Sequence, residues 1–163
     1  MTTDQKYLKD LYAMIMENRA KTHPNLTPEE IIRAGHKEFT LSKTNDLTKA
    51  VKLWVEMHGY QAERISTQGQ YRDNSKKYTD VMGHTRIVGS GSWTPGTGTK
   101  GSADLSCTIA GRSVKIEIKN AATHDRQSEA QKKYQESIEK AGGVYLIVRT
   151  FSGFVEWWKG YVI

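Results

Sequence analysis

The chain has 163 residues, of which 37% are hydrophobic, and its formal net charge is +6. This length and composition suit one domain with its own core, and they exclude a disordered chain and a membrane protein. The positive balance favours polyanionic partners, nucleic acid first, although many basic proteins bind none.

Cysteine content and the first residues bear on the cellular compartment. A single cysteine, Cys107, excludes an internal disulfide framework and a zinc site built on cysteine pairs. The first residues, MTTDQKYLKD, lack the apolar segment of a secretory signal. We therefore expect a cytoplasmic protein with no membrane partner.

Helical patterns fill the first third of the chain. Thr27 followed by Pro28 predicts the start of a short helix, and Gly35 its end. A further helix is predicted over residues 46–58, with Gly59 as its stop; its inward residues are predicted to be Leu47, Ala50, Val51, Trp54 and Val55. An earlier helix is predicted from apolar residues at helical spacing: Tyr7, Leu8, Leu11, Tyr12, Met14 and Ile15.

Strand-like segments follow. Residues 60–72 and 84–90 are strand candidates, and residues 89–102, rich in Gly, Ser and Thr, are predicted to be a loop. Residues 103–119 predict a hairpin that turns at Gly111-Arg112. The last predicted elements are a helix over 128–141, a strand over 144–150 and a short helix capped by Ser152.

The hairpin brings charged side chains together. Residues two apart in a strand share a face, so Glu117 and Lys119 point away from the apolar side where Ile116 and Ile118 pack. A symmetric hairpin places Asp104 opposite Glu117. Adjacent carboxylates repel unless a positive charge lies between them, and Mg²⁺ prefers carboxylates, carbonyls and water. We predict a metal site of Asp104, Glu117 and the Ile118 carbonyl.

Lys119 gives this site a candidate catalytic cation. A bound metal can lower the pKa of a water molecule and stabilise charge on a phosphate. Lys119 can position or deprotonate that water, or neutralise developing charge. Together these groups suit metal-assisted phosphodiester hydrolysis. For Glu117 and Lys119 taken alone, a surface ion pair of little energetic value is the more common alternative.

With its downstream residues, the hairpin resembles the motif of the PD-(D/E)XK nuclease superfamily, an acid, a hairpin and then acid-x-lysine. Gln131 in the next helix and the pair Val148-Arg149 ending the next strand are similar to the VRR-NUC branch. The resemblance covers roughly residues 46–150. It implies a restriction-endonuclease-like α/β fold, with a mixed central β-sheet flanked by helices.

The resemblance also implies a division of the chain. One nuclease domain would span residues 1–163, with a helical extension over 1–44, a core over 45–150 and a C-terminal helix over 151–163. Asp46 stands near the helix start, where the family often has a glutamate that adds to the metal site. Asp46 either substitutes as a ligand through water, or that ligand is missing.

The activity implied is that of a Mg²⁺-dependent DNA endonuclease, with Mn²⁺ as a substitute. Asp104 and Glu117 would bind the metal, Lys119 would assist the attacking water and Gln131 would orient groups at the site. Stand-alone members act on branched, flap or junction DNA, often as homodimers, and this chain is similar to bacterial or phage examples. The alternatives are a sequence-specific restriction-type endonuclease and a non-catalytic DNA-binding module on the same fold.

Gln131 also has a purely local interpretation. Ser128-x-x-Gln131 is a capping box, in which the glutamine side chain reaches back to the backbone N–H of Ser128. Both interpretations place Gln131 in the first turn of its helix, close to the segment that follows Lys119.

Candidate DNA contacts surround these residues. Arg64 and Gln68 are expected to flank a groove, and Arg126 lies in a segment that contacts phosphate or is simply solvated. Lys100 and Trp93 lie in the glycine-rich segment, which either leads into the site or is a disordered connector. The run GTGTKG there precedes a strand instead of a helix, so we expect no nucleotide cofactor.

Overall fold

The computed structural model describes residues 1–33, 38–67, 69–96 and 98–162, except for the side chains of Ile32 and Arg33. Gly35 and Gln68, both named above, lie outside the described residues. In the described ranges the helices are α1 (Thr3–Thr22), α2 (Pro28–Arg33), α3 (Thr44–Met57), α4 (Glu129–Lys140) and α5 (Phe151–Tyr161). The strands are β1 (Gln61–Arg64), β2 (Gln70–Asp73), β3 (Lys76–Thr79), β4 (Thr85–Val88), β5 (Gly91–Thr94), β6 (Leu105–Ile109), β7 (Arg112–Ile118) and β8 (Val144–Val148).

A four-stranded sheet in the order β1-β6-β7-β8 forms the centre. β6 pairs antiparallel with both β1 and β7, whereas β7 and β8 run parallel. Parallel neighbours need a crossover connection, which here contains α4. The prediction of an α/β architecture with a mixed central sheet is therefore confirmed.

The two faces of the sheet carry different layers. Val114, Ile116 and Ile118 of β7 are buried on one face, in a core shared with α1, α3 and α5. The opposite face, where Tyr145 of β8 meets the ring of Tyr134, is covered by α4. The residues that α3 buries include every one predicted to point inward: Leu47, Ala50, Val51, Trp54 and Val55.

Contacts between α1 and α5 connect the two ends of the chain. The backbone N–H of Ser152 donates to Asp4 Oδ1 at 2.7 Å, and Lys159 Nζ donates to the Tyr7 hydroxyl at 2.7 Å. The predicted cap of the last helix was wrong, because Thr150 Oγ1 accepts from the Gly153 N–H at 3.1 Å and is the N-cap. No helix within the described ranges is both long enough and apolar enough to cross a membrane.

Residues 70–94 form a two-stranded ribbon, called the arm here. β2 pairs with β5 and β3 pairs with β4, both antiparallel. The predicted loop was wrong for residues 91–94, which are β5, and β3 was not predicted. The side chains of β2, β3 and β4 are exposed along their whole length. Because neither face of these strands is buried, their sequence shows no alternation of apolar and polar residues.

The hairpin of β6 and β7 has the predicted register but a different turn. Ala110 and Gly111 have φ values of 49° and 75°, so the turn residues are 110–111 and not 111–112. Two successive positive φ angles are typical of a type I′ turn, whose twist matches that of the strands. Leu105 pairs with Ile116 and Ile109 with Arg112, and continuing this register sets Asp104 against Glu117.

Replacing Ala110 with asparagine should stabilise the hairpin. An L-residue other than Asn, Asp or Gly is strained at positive φ, so Ala110→Asn should raise the free energy of unfolding by about 1 kcal/mol. Urea denaturation measures the change. Ala110→Val is the opposite control and should lower the denaturation midpoint. Equal midpoints for all three proteins would contradict a strained turn.

Candidate active site

Asp104 is fixed by hydrogen bonds to both neighbouring strands. Its backbone carbonyl accepts from the Ile65 N–H at 2.9 Å, just after β1. Its side-chain Oδ2 accepts from the Ile118 N–H at 2.9 Å, at the end of β7. The carboxylate is therefore held at the end of the hairpin beside Glu117, although it lies just outside the paired residues of β6.

The Glu117 carboxylate is buried with its two oxygens in different surroundings. Oε1 lies 3.2 Å from Lys119 Nζ and accepts a hydrogen bond of 2.5 Å from Gln131 Nε2. Oε2 is also buried, but it has no hydrogen-bond partner among the described residues. A buried polar atom without a partner costs free energy, so this oxygen is the atom of the site most in need of a ligand.

Electrostatics raise the pKa of Glu117 above its ordinary value. Burial is the largest cause, and the nearby charge of Asp104 acts in the same direction. Lys119 and Gln131 stabilise the ionised form and offset part of this shift. The site thus holds a carboxylate that is costly to ionise in the protein alone, and a cation at Oε2 would remove much of that cost.

Gln131 satisfies both of the interpretations drawn from its position. Its Oε1 accepts from the Ser128 N–H at 2.9 Å, and its own N–H donates to Ser128 Oγ, so the predicted capping box is confirmed. Its Nε2 is left to donate to Glu117 Oε1. One amide therefore caps α4 with its oxygen and holds the Glu117 carboxylate with its nitrogen.

Gly101 lets the chain approach the first turn of α4 ahead of Asp104. A Cβ atom built on Gly101 would lie 2.4 Å from the backbone carbon of Ala130 and 2.8 Å from the backbone nitrogen of Gln131. Its φ of +83° also favours glycine. The segment containing Lys100 is thus packed against the helix end that presents Gln131.

Tyr145 is a neighbour of the site that the sequence analysis did not identify. It lies on β8 opposite Lys115, on the sheet face that carries Glu117. Its hydroxyl is buried and makes no hydrogen bond of ordinary geometry within the described part of the chain, and the Gln127 side chain is close by. Burial, followed by the charge of Glu117, raises the pKa of Tyr145 to about 12. The strand VYLIV resembles uniform core, yet alternation assigns Tyr145 to the face opposite Val144 and Leu146.

A cleft of about 530 Å³ opens beside Asp104. Arg64, predicted to flank a groove, lines this cleft and donates from Nη2 to Asn45 Oδ1 at 2.8 Å. Asp46 does not line it: the side chain is buried, and Oδ2 accepts from the Thr40 N–H at 3.2 Å. The position of Asp46 therefore favours the second alternative, in which this ligand is missing, and its neighbour Asn45 is the residue that faces the cleft.

The donor set fits a magnesium ion held partly by protein. Among the described residues, no group of three or more His, Cys, Asp or Glu side chains could hold a metal ion. Mg²⁺ usually keeps several waters and is bound through one or two carboxylates together with substrate phosphates. Asp104 and the free oxygen of Glu117 supply such a pair. The Ile118 carbonyl points to the same side as the Ile118 N–H, towards Asp104.

Backbone contacts hold the end of β7 in place. The Lys119 N–H donates to the Val148 carbonyl at 2.8 Å, and the Ala121 N–H donates to the Arg149 carbonyl at 3.0 Å. Asn120, which sequence reasoning missed, is buried, and its Nδ2 donates to the Leu41 carbonyl at 2.8 Å. These bonds fix the direction in which Lys119 leaves the strand.

The remaining predicted DNA contacts are all on the surface. Lys100 and Arg126 are exposed in connecting segments. Trp93 is 63% exposed and lies on β5, in the arm. The structure thus gathers Asp104, Glu117, Lys119 and Gln131 at one place, whereas these three side chains are exposed on segments outside it.

The fold and site together define a class: a mixed α/β protein with an acid pair, of which Glu117 is buried and Asp104 is half-buried, and with a lysine and an amide at the end of a central hairpin. No protein-family model matches the chain, and no curated protein or solved structure shows significant similarity to it. Inference about function therefore starts from the side chains described above.

Replacing Glu117 with glutamine should make stability less sensitive to pH. The raised pKa means that the folded state binds this proton more tightly than the unfolded chain, so wild-type stability falls as pH rises from the ordinary carboxyl value through the raised one. Glu117→Gln cannot ionise. With chelator present, the Glu117→Gln variant should be as stable as wild type at about pH 4 and more stable than wild type at about pH 8.

Urea denaturation across that pH range measures the difference. Glu136→Gln, on the exposed surface of α4, is the matched control and should follow wild type throughout. A constant offset between Glu117→Gln and wild type at every pH would contradict an adverse charge at this position.

Proposed function

We propose that this chain is a metal-dependent nuclease that hydrolyses phosphodiester bonds in DNA. The observation that carries the proposal is the Glu117 carboxylate. One of its oxygens is held by Lys119 and Gln131, and the other is buried without a hydrogen-bond partner among the described residues. The charge of Asp104 acts on the same carboxyl group. The acid, hairpin and acid-x-lysine order on a mixed sheet agrees with the PD-(D/E)XK resemblance and supports a restriction-endonuclease-like fold.

Asp104, the Oε2 atom of Glu117 and the Ile118 carbonyl would hold Mg²⁺, for which Mn²⁺ can substitute. The bound ion would supply a water of lowered pKa and charge neutralisation at the phosphate. The protein fixes these ligands in advance. The Ile118 N–H orients Asp104 through Oδ2, and the two donors on Oε1 prevent rotation of the Glu117 carboxylate.

Lys119 brings a positive charge to the reacting phosphate. Its ammonium group is largely buried and lies 3.2 Å from Glu117 Oε1, which compensates its charge. From there it can donate a hydrogen bond to the attacking water or to a phosphate oxygen that gains negative charge. Gln131 acts on Glu117 and is therefore a positioning residue.

DNA is the proposed substrate because the chain is basic and Arg64 shares the cleft with Asp104. Arg64 lines the cleft beside Asp104, and Lys100 and Arg126 are exposed in segments next to α4. Branched, flap or junction DNA is proposed as the preferred form. That preference, the homodimer, the cytoplasmic location and the bacterial or phage type rest on the VRR-NUC resemblance alone.

Wild type should cleave DNA only when Mg²⁺ or Mn²⁺ is present. Glu117→Ala should abolish cleavage, and Lys119→Ala should slow it by about 10²–10⁴-fold, the usual contribution of a proton-transferring or charge-stabilising group. Linear, flapped and four-way DNA are incubated with each protein, with metal or with chelator, and the products are separated by gel.

Lys115→Ala is the matched control for Lys119→Ala. Lys115 lies on the same face of β7 as Glu117, two residues before it, and its Nζ donates a hydrogen bond to Ser106 Oγ. The Lys115→Ala variant should cleave DNA like wild type. Binding without cleavage under every metal would leave only a DNA-binding module, and cutting of linear DNA at one sequence would indicate a restriction-type enzyme.

Ser128→Ala and Gln131→Ala should separate the two roles of Gln131. Either change breaks the capping box and should cost about 0.5–2 kcal/mol of stability. Only Gln131→Ala also removes the donor to Glu117. We expect similar losses in thermal unfolding but slower cleavage for Gln131→Ala alone. Equal cleavage rates of the two variants, measured where both are folded, would mean that Gln131 acts only as a helix cap.

A further inference from the structure

The arm carries an aromatic surface that the proposed site does not use. Tyr71 and Trp93 are direct cross-strand partners of β2 and β5, so their side chains lie on the same face of the ribbon. Each is 63% exposed. The two rings therefore lie on one face of the ribbon and are open to solvent, and together they are called the aromatic platform here.

Glycines seat both rings on the ribbon. A Cβ atom on Gly69 would lie 2.4 Å from Trp93 Cζ2, and one on Gly91 would lie 2.6 Å from Tyr71 Cε2. Each ring thus covers a glycine of the opposite strand, an arrangement that stabilises a glycine in a sheet edge. The outer surface of each ring remains available for contact.

The charges of the arm favour a polyanion. Lys77 is exposed on the same face of the ribbon as Tyr71, and Arg72 and Lys76 are exposed on the other face. The acids are engaged locally: Asp73 accepts from the Ser75 N–H at 2.9 Å, and Asp80 accepts from Arg86 Nε at 3.0 Å and from backbone N–H groups in the tip turn. Residues 70–94 carry four Lys and Arg against two Asp, so two arms brought together would repel, which disfavours a second copy of the chain as the partner.

Both ends of the arm begin at the proposed site. Thr67, which precedes β2, lines the cleft beside Asp104. A Cβ atom on Gly98, which follows β5, would lie 2.7 Å from Thr67 Cγ2, so the two chain segments are in contact there. Three residues later Gly101 packs against α4. A nucleic acid bound in the cleft would therefore lie next to the base of the arm.

We propose that the arm binds unpaired nucleotides of a nucleic acid held in the cleft. Bases would stack on Tyr71 and Trp93, and phosphates would contact Lys77 on the same face of the ribbon. Arg72 and Lys76, on the other face, would add to the positive charge of the arm. Stacking needs bases whose faces are free, which a continuous duplex does not offer. The inference rests on the proposed nuclease and narrows its substrate to DNA with a single-stranded segment next to the cut.

Tryptophan fluorescence of the full chain tests this directly. Chelator is included so that no cleavage occurs, and oligothymidylate or a blunt duplex of the same length is added. Trp54 and Trp158 are buried, and Trp157 is half-buried in stacks with Phe154 and Tyr161, so base stacking should quench mainly Trp93. Oligothymidylate should quench the signal more strongly than the duplex.

Substitutions then assign the effect to the platform. Trp93→Ala should remove the quenching, and in anisotropy titrations Trp93→Ala and Tyr71→Ala should each weaken binding of labelled oligothymidylate by about fivefold to hundredfold. Lys77→Ala should reduce the salt dependence by about 0.7 in the log–log slope, the value for one lost phosphate contact. Val81→Ala, at the fully exposed tip of the arm, should bind like wild type.

The outcomes separate this inference from the nuclease proposal. Loss of oligothymidylate binding in Trp93→Ala supports the arm, even if no metal gives cleavage. Metal-dependent cleavage with unchanged affinity in Trp93→Ala and Tyr71→Ala overturns the arm and leaves the nuclease. Tighter binding of duplex than of oligothymidylate also overturns it, as does a dimer in sedimentation that Trp93→Ala converts to monomer without any loss of nucleic-acid affinity.

Discussion

The register of the β6–β7 hairpin is the constraint on which both the core and the site depend. Ile116 and Ile118 point into the apolar core, and Glu117 and Lys119 alternate with them on the other face. A slip of one residue would exchange the two sets, burying a carboxylate and an ammonium group among apolar side chains. The two-residue turn and the bond from the Ile118 N–H to Asp104 therefore select the fold and assemble the acid pair at the same time.

The acid pair carries an adverse charge that the surrounding structure only partly compensates. Lys119 and Gln131 both bind Oε1 of Glu117, while Oε2 stays without a partner among the described residues. The amide oxygen of Gln131 accepts a hydrogen bond from the Ser128 N–H at the start of α4, and the amide nitrogen donates to Glu117. The stability of the start of α4 and the orientation of the Glu117 carboxylate therefore depend on one side chain. Gly101 permits the segment before Asp104 to pack closely against the first turn of α4.

Sequence patterns predicted the elements that bury one face, because burial imposes a period that can be read. The hairpin and the inward residues of α3 follow from alternation and helical spacing. The arm follows no such period, since its strands are held by backbone pairing with exposed side chains. The sequence left two alternatives open for Asp46 because the phase of the helix was not known to within one residue. Successive residues of a helix point about 100° apart, so a shift of one residue exchanges Asn45 for Asp46 at the cleft.

The arm has little to stabilise it apart from its own pairing and its attachment at the site. An isolated two-stranded ribbon is at best marginally stable in water. The contacts of Trp93 with Gly69, of Tyr71 with Gly91 and of Thr67 with Gly98 add some burial at its base. A ligand that stacks on the platform would add burial only to the ordered ribbon, and a ligand that binds one state stabilises that state. Because the base of the arm adjoins both the cleft and α4, ordering of the arm by unpaired bases would also favour the arrangement in which Gln131 holds Glu117.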